Sequence, residues 1–321
     1  MPSIFRVRVP YRPAVASTPH LAVVGPTAAG KTALSIAVAA EAGAEVVSAD
    51  ALMVYRGADI GTAKPSMEER RGVPHHGLDL IEPSQEADLA GWLADARAAL
   101  ASCEARGVPA VVVGGTGLYV HALVDDFELP GSFPEVRAEL EASPEPAPAL
   151  HARLATLDPV AAGRMEPGNR RRVVRALEVC LGSGRPFSSF GPGVAAFPPT
   201  DRFRIVGLAP DPARLGVRIE RRVQEQVAAG LVEETARLLA TPGGLSRTCR
   251  QGLGYKEVLL HLEQGLPLDQ ALALDVANTR RFARRQRAWF RRDPRIRWID
   301  LGDADDDPLA ILPAARSHWR G

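Results

Sequence analysis

Gly25-Pro-Thr-Ala-Ala-Gly30-Lys31-Thr32 spaces two glycines, a lysine and a hydroxyl as a loop that wraps a phosphate. Gly25 and Gly30 permit backbone angles and a close approach that a β-carbon blocks. Such a turn aims several N–H groups into one concavity, and the N-terminus of the following helix adds partial positive charge. Lys31 supplies a mobile full charge, and Thr32 places a hydroxyl where Mg²⁺ binds. Asp50 closes the apolar run Ala44-Glu-Val-Val-Ser-Ala-Asp50 and fits either a general base or a metal ligand. A second glycine turn, Gly114-Gly115-Thr116-Gly117, follows another apolar run and can converge on the same ligand.

The elements that must position these groups read as follows. Leu21–Val24, Ala44–Asp50, Val108–Val113 and Arg202–Leu208 are short apolar, β-branched runs suited to a parallel sheet. Ligands of such sheets sit beyond the C-terminal edges of the strands, so Asp50 is expected to share a crevice with the phosphate loop. Residues 51 to 65 are too rich in glycine for a long element. His75 and His76 point to opposite faces of an extended segment and have no third soft ligand nearby, so packing or hydrogen bonding near the site is expected of them rather than a metal. From Asp125 to about Thr200 the strand runs vanish, and Pro134–Ala142, Leu150–Leu157 and Asn169–Leu181 read as an inserted helical segment. Within the last of these, Val173, Ala176, Leu177 and Cys180 form an apolar face and turn the arginines outward. A long helical region is expected over 211–240, where Arg214 and Arg218 share a face. Gln251–Glu257 is a loop entering a helix, and another long helix is expected over 267–292. Between Arg280 and Arg297 nine arginines and one aspartate interleave with Phe282, Trp289 and Phe290, a pattern suited to RNA phosphates and stacked bases.

Bulk properties exclude several classes. The 321 residues carry a net charge of +1, so a nucleic-acid site must come from a local patch rather than the global field. Cys103, Cys180 and Cys249 show no pairing pattern, which points to a reducing cytoplasm without disulfides or zinc knuckles. No run approaches a membrane span. Residues 1–19 hold Arg6, Arg8, Arg12 and four prolines and read as a loose extension, not a signal peptide. Lysine occurs only at Lys31, Lys64 and Lys256, each beside a glycine-rich loop.

The motifs Gly25–Thr32, Asp50 with Val54-Tyr-Arg-Gly57, Asp59-Ile-Gly-Thr-Ala-Lys-Pro65, Pro74-His-His76, Gly114–Tyr119, Arg175-Ala-Leu-Glu178, Gly254-Tyr-Lys-Glu257, and Thr279-Arg280 with Ala283-Arg-Arg-Gln286 and Trp289-Phe-Arg291 stand in one collinear order. As a set they resemble the tRNA dimethylallyltransferase (tRNA isopentenyltransferase, IPP transferase) family over roughly 21–292. The resemblance implies an α/β fold with a P-loop NTPase-like parallel-sheet core, residues 20–124 and 201–321, and an inserted helical tRNA-binding domain, residues 125–200. It implies transfer of a dimethylallyl group from its diphosphate to N6 of adenosine 37, beside the tRNA anticodon, with Mg²⁺ and without consumption of ATP. Partners would be the anticodon stem-loop and dimethylallyl diphosphate, for a cytoplasmic monomer that touches no membrane.

Carried over by motif, Asp50 is the base, Thr116 contacts substrate and Arg218 binds the diphosphate side. Gly25, Pro26, Thr27, Ala28, Ala29, Gly30, Lys31 and Thr32 hold the diphosphate, and Thr32 meets the metal. Asp50, Ala51, Leu52, Met53, Thr116, Arg137, Arg171, Arg172, Val173, Val174, Arg175, Gln251, Gly252, Leu253, Gly254, Tyr255, Lys256, Arg284 and Arg285 face tRNA. Two departures stand out: Ala51 and Met53 replace the family's usual serine and glutamine, and Gly77 replaces a larger apolar residue. The alternatives are a P-loop small-molecule kinase and a non-catalytic tRNA-binding protein.

Overall fold

A computed structural model describes residues 19–191, 193–302, 307 and 309–320. The N-terminal extension expected over 1–19 lies, apart from Pro19, outside the described residues. In chain order the elements are β1 (His20–Val24), α1 (Lys31–Ala42), β2 (Glu45–Ser48), β3 (His75–His76), α2 (Leu89–Ala105), β4 (Ala110–Gly114), α3 (Gly117–Val124), α4 (Pro134–Ala142), α5 (Ala147–Leu157), α6 (Pro159–Ala162) and α7 (Arg170–Ser183). After a short 3₁₀ turn at Phe187–Phe190 come β5 (Phe203–Ala209), α8 (Pro212–Ala228), α9 (Leu231–Leu239), α10 (Arg247–Arg250), α11 (Tyr255–Gln264), α12 (Leu268–Phe290), β6 (Arg297–Asp300) and α13 (Leu312–Arg320).

The strands form one all-parallel sheet in the order β3-β2-β4-β1-β5-β6. The central strands are apolar along their whole length because helices cover both faces of such a sheet. Register then does the positioning. Val24 pairs with Gly114 and Ser48 with Val113, so β1, β4 and β2 end level with one another. The phosphate loop, the second glycine turn and Asp50 therefore leave neighbouring strands at one edge. On one face Leu34, Ile36 and Val38 of α1 and Trp319 of α13 pack with Leu21, Val23, Val111 and Val206 into a continuous core. At about 25 cal/mol per Å² of buried apolar surface, burial on this scale is what holds the edge rigid.

Two compact units divide the chain. One comprises residues 1–117, 201–291 and 296–321, and the other Leu118–Thr200 with Arg292–Arg295. The second has its own core: Leu140 of α4, Leu150 and Leu154 of α5, and Val173, Val174 and Leu177 of α7. Its edge is tied by Arg295, which pairs with Asp125 and Asp293 and donates to Pro198 O.

The helical region expected over 211–240 is two helices, not one. Gly230 adopts φ 100° between α8 and α9 and breaks the run, a conformation that suits glycine. β6 and α13 carry no clear sequence signal. β6 is a four-residue edge strand with both ends exposed, so it lacks an apolar run.

Candidate active site

A cleft of about 1060 Å³ opens at the C-terminal edge of β1, β2 and β4. Its walls include Thr27 to Thr32 of the phosphate loop, Asp50, Gly115 of the second turn, and Arg218, Arg221 and Arg222 of α8. The loop has the backbone expected of a phosphate cradle: Gly25 at φ 142°, Ala28 at φ 60° and Gly30 at φ 84°. Ala28 takes its left-handed conformation while packing against the small apolar cluster of Leu215, Ile219 and Ala283, which offsets part of the strain. Lys31 Nζ donates to Pro26 O at 2.6 Å, folded back over its own loop. Burial, and then the positive charge of Arg222, push the Lys31 ammonium down to about 7, while Asp50 opposes the shift. Burial also lowers Arg222, against the pull of Asp50. The cleft is thus a desolvated cationic site, suited to a multiply charged anion.

Asp50 lies two residues past β2. Its Oδ1 accepts from the backbone N–H groups of Leu52 at 2.8 Å and Met53 at 3.3 Å. The loop after β2 is therefore turned around this carboxylate. Thr116 Oγ1 accepts from Ala51 N at 3.3 Å, which ties the second turn to the Asp50 segment. Met53, which replaces the expected glutamine, accepts a hydrogen bond from Ser48 Oγ at 3.5 Å through its sulfur. Gly77 also has a reason. It sits at φ 76°, and a β-carbon there would lie 2.6 Å from Ser48 O.

The glycines of the second turn are required by close neighbours, not by unusual backbone angles: Gly114 by Ala49, whose carbonyl oxygen a β-carbon would meet at 2.2 Å, and Gly115 and Gly117 by α12. A β-carbon on Gly115 would lie 2.1 Å from Gln286 Nε2, and one on Gly117 2.2 Å from Trp289 Cδ1. Helix α12 runs directly over the turn.

The structure brings Gly25 to Thr32, Asp50, Ala51, Met53, Thr116 and Arg218 to this edge. Arg214 instead donates to Gly302 O. Two cleft groups went unrecognised as site residues in the sequence. Arg222 follows Arg218 by four residues, the spacing that puts two side chains on one helix face. Gln286 sits in a quoted motif, but its contact partners are 171 and 259 residues away. Lys64 is a strut: its side chain is only 3% exposed and donates to Asp59, Asp79 and Tyr55 O. It holds the loop between β2 and β3.

Other expected contacts divide by burial. In α12, Arg284 and Arg285 are exposed. Arg280 pairs with Glu220, Arg281 with Asn278, and Arg295 with two aspartates, so these arginines stabilise the structure around them. The Tyr255 side chain is buried and donates to Glu234 at 2.6 Å. Glu234 in turn accepts from the N–H groups of Asp59, Ile60 and Gly61. Gly252 and Gly254 are buried, whereas Gln251 is exposed and Leu253 and Lys256 partly so.

In the helical unit Arg171 and Arg172 are exposed on α7. Val173 and Val174 place their side chains in the core of the helical unit. Arg175 pairs with buried Glu178 at 2.6 Å and donates to Pro130 O and Gly131 O. Arg137 pairs with Glu141 one turn along α4.

His76 Nε2 lies 2.7 Å from Glu45, and Cys103 approaches the same carboxylate. Arg106 already holds both oxygens of Glu45, so the trio is an ion-paired cluster behind the sheet rather than a metal centre.

Comparison with known proteins places these features in context. The sequence matches the IPP transferase family over residues 53–293 and the isopentenyl transferase family over residues 20–79. It is 47% identical over 316 residues to a tRNA dimethylallyltransferase of Kineococcus radiotolerans, covering 93% of this chain and 98% of that protein. A tRNA dimethylallyltransferase of Salinispora arenicola is 49% identical over 302 residues, covering 92% of this chain and 87% of that one. Among solved structures, the tRNA isopentenylpyrophosphate transferase of Bacillus halodurans matches with a TM-score of 0.64 at 34% identity, covering 94% of this chain and 98% of that one. A eukaryotic dimethylallyltransferase acting on tRNA matches with a TM-score of 0.77 at 25% identity, covering 94% and 78%.

Proposed function

The chain belongs to the IPP transferase family, and from that premise and the geometry of the cleft we propose that it transfers a dimethylallyl group from dimethylallyl diphosphate to N6 of adenosine 37 in tRNA. The observation that carries the reading is the placement of one carboxylate, Asp50, across from the desolvated cations of the phosphate loop and α8. The cations suit a departing diphosphate, and the carboxylate suits an amine that must lose a proton.

The chemistry balances with these groups. The bond between C1 of the dimethylallyl group and the diphosphate oxygen breaks, and its electron pair leaves with diphosphate. Backbone N–H groups of the loop, Lys31, Arg218 and Arg222 stabilise that developing charge, and the burial of Lys31 and Arg222 strengthens the effect. The N6 lone pair bonds to C1, and an N6 proton passes to Asp50. Both backbone donors to Asp50 land on Oδ1, which leaves Oδ2 to take the proton. Thr32 at the first turn of α1 offers a hard oxygen donor that fits Mg²⁺, which would spread the charge of the diphosphate when bound. An adenine cannot react inside a base stack, so adenosine 37 is flipped into the cleft. Exposed Arg284 and Arg285, and Arg171 and Arg172 of the helical unit, are the residues proposed to hold the phosphates of the anticodon stem-loop. Among the described residues no helix is long and apolar enough to cross a membrane; a cytoplasmic monomer is proposed.

Binding tests the reading. Dimethylallyl diphosphate is expected to displace a fluorescent diphosphate analogue from the cleft, with ATP competing only weakly. Tight ATP binding with no affinity for the prenyl diphosphate contradicts it. Asp50→Asn is expected to lower turnover about 100-fold while tRNA affinity holds, the scale of a lost general base; unchanged turnover removes Asp50 as the base.

A further inference from the structure

Gln286 joins two loops with the two ends of one side chain. Its Oε1 accepts from Thr27 N in the phosphate loop at 2.8 Å. Its Nε2 donates to Gly115 O in the second turn at 3.0 Å. The side chain is buried, and the turn can approach it only because residue 115 has no β-carbon. One residue further, Thr116 accepts from Ala51, the neighbour of Asp50. A continuous path of hydrogen bonds and peptide links thus runs from the phosphate loop through Gln286 to the segment that carries the carboxylate.

We propose that Gln286 is a positioning residue that sets the separation between the diphosphate cradle and the Asp50 segment. The inference rests on the transferase reading above. A side-chain amide fits both ends of the bridge. A carboxylate offers no donor to Gly115 O, and an ammonium offers no acceptor to Thr27 N. The amide also takes up the Thr27 N–H, so this loop donor points at Gln286 and not at the anion. The remaining loop donors and the cleft cations still hold the leaving group. Loss of the bridge therefore affects the alignment of the two reactants more than the binding of either.

The test is Gln286→Met, which keeps the volume and removes both bonds without adding charge. The readouts are prenyl transfer to tRNA, the dissociation constant of inorganic diphosphate, the KM for tRNA, and the melting temperature. The expected result is a kcat lower by about 100-fold, the scale of a 1 Å misplacement. Diphosphate affinity and the tRNA KM should stay within about threefold, because the groups that bind them are untouched. An unchanged kcat, or a loss of kcat matched by equal losses in diphosphate and tRNA affinity, overturns the proposal. If Gln286→Met fails to fold, a cycle with Gly115→Ala and Gln286→Ala decides the matter. Gly115→Ala should lower kcat strongly beside Gln286 and much less beside Ala, since the added methyl group then has room. Additive effects overturn the proposal. The parent protein separates the two claims: a parent that prenylates no tRNA contradicts the proposed function, whereas an active parent with equally active variants contradicts only the role of Gln286.

Discussion

Helices α7 and α8 are both arginine-rich, and they use their arginines differently. In α7, Arg170 donates to carbonyls at Leu140, Glu141, Ser143 and Glu145, and Arg175 neutralises buried Glu178. Both brace the helical unit. In α8, Arg218 and Arg222 line the cleft; burial lowers Arg222 against the pull of Asp50, Asp275 and Glu225, and its guanidinium also donates to Thr62 O. A guanidinium held against chain carbonyls and a buried glutamate is an architectural group. One desolvated beside an anion cradle is poised for a ligand. The difference lies in the partner, and sequence spacing alone does not reveal it.

The comparison can be broken at either helix. The largest effect is expected at α8: Arg222→Met should lower kcat/KM for the prenyl diphosphate by about 1000-fold, the upper range for a lost charge-stabilising donor. Melting temperature should barely change. A collapse in stability instead would make Arg222 a structural group, through its bond to Thr62 O.

At α7 the opposite pattern is expected. Arg175→Met leaves Glu178 buried without its cation and should cost about 2 kcal/mol of stability, below the full range for a buried pair because Arg175 is partly exposed. Denaturant unfolding checks this. Unchanged stability with a large loss of tRNA binding would reassign Arg175 to the RNA surface.

Lys31 sharpens the contrast through pH. Its ammonium titrates at about 7 in the free cleft. A bound diphosphate must raise that value, because an opposite charge favours the protonated form. Affinity is then fully present below about pH 7 and falls as pH rises from there toward the bound-state value, by up to about tenfold per unit. Calorimetry in buffers of different ionisation enthalpy should show proton uptake on binding near pH 7.5, as a fraction of about one proton. No uptake at Lys31, tested by its loss in Lys31→Arg, contradicts the picture of a desolvated cleft.

The smallest effect is expected on the outer face of α12. Neutralising Arg284 and Arg285 together should flatten the salt dependence of tRNA binding by a slope of roughly 1 to 2, with kcat at saturating tRNA unchanged. An identical slope would make that face plain solvated surface.

Local backbone chemistry was what the sequence displayed well. The phosphate loop is a glycine turn set directly between a strand, His20–Val24, and a helix, Lys31–Ala42, and β1, β2, β4 and β5 are legible as apolar runs. Asp50 was placed because it closes such a run. What stayed hidden depends on contacts between distant residues. Gln286 meets Thr27 across 259 positions. Lys64 stood out by composition, but its role as a strut needs Asp79, brought close by the return of the chain. The partners of the basic run were equally hidden: Arg280 meets Glu220 of α8, Arg281 meets Asn278 of its own helix, and Arg295, beyond α12, meets Asp125. Tyr255 sits in a motif that the resemblance assigns to RNA, yet its hydroxyl is needed to hold Glu234 under the Asp59–Gly61 loop. Edge strand β6 lacked the continuous apolar run that marked the central strands.

The central claim is that the cleft holds a leaving diphosphate while the attached carbon moves to an adenine. It is tested most directly by incubating the protein with tRNA, Mg²⁺ and dimethylallyl diphosphate, digesting the RNA and weighing its nucleosides. The account predicts one dimethylallyl unit added to the adenosine beside the anticodon, with one diphosphate released for each. Bound tRNA that gains no mass, or a phosphate transferred from ATP in place of the prenyl group, would contradict it.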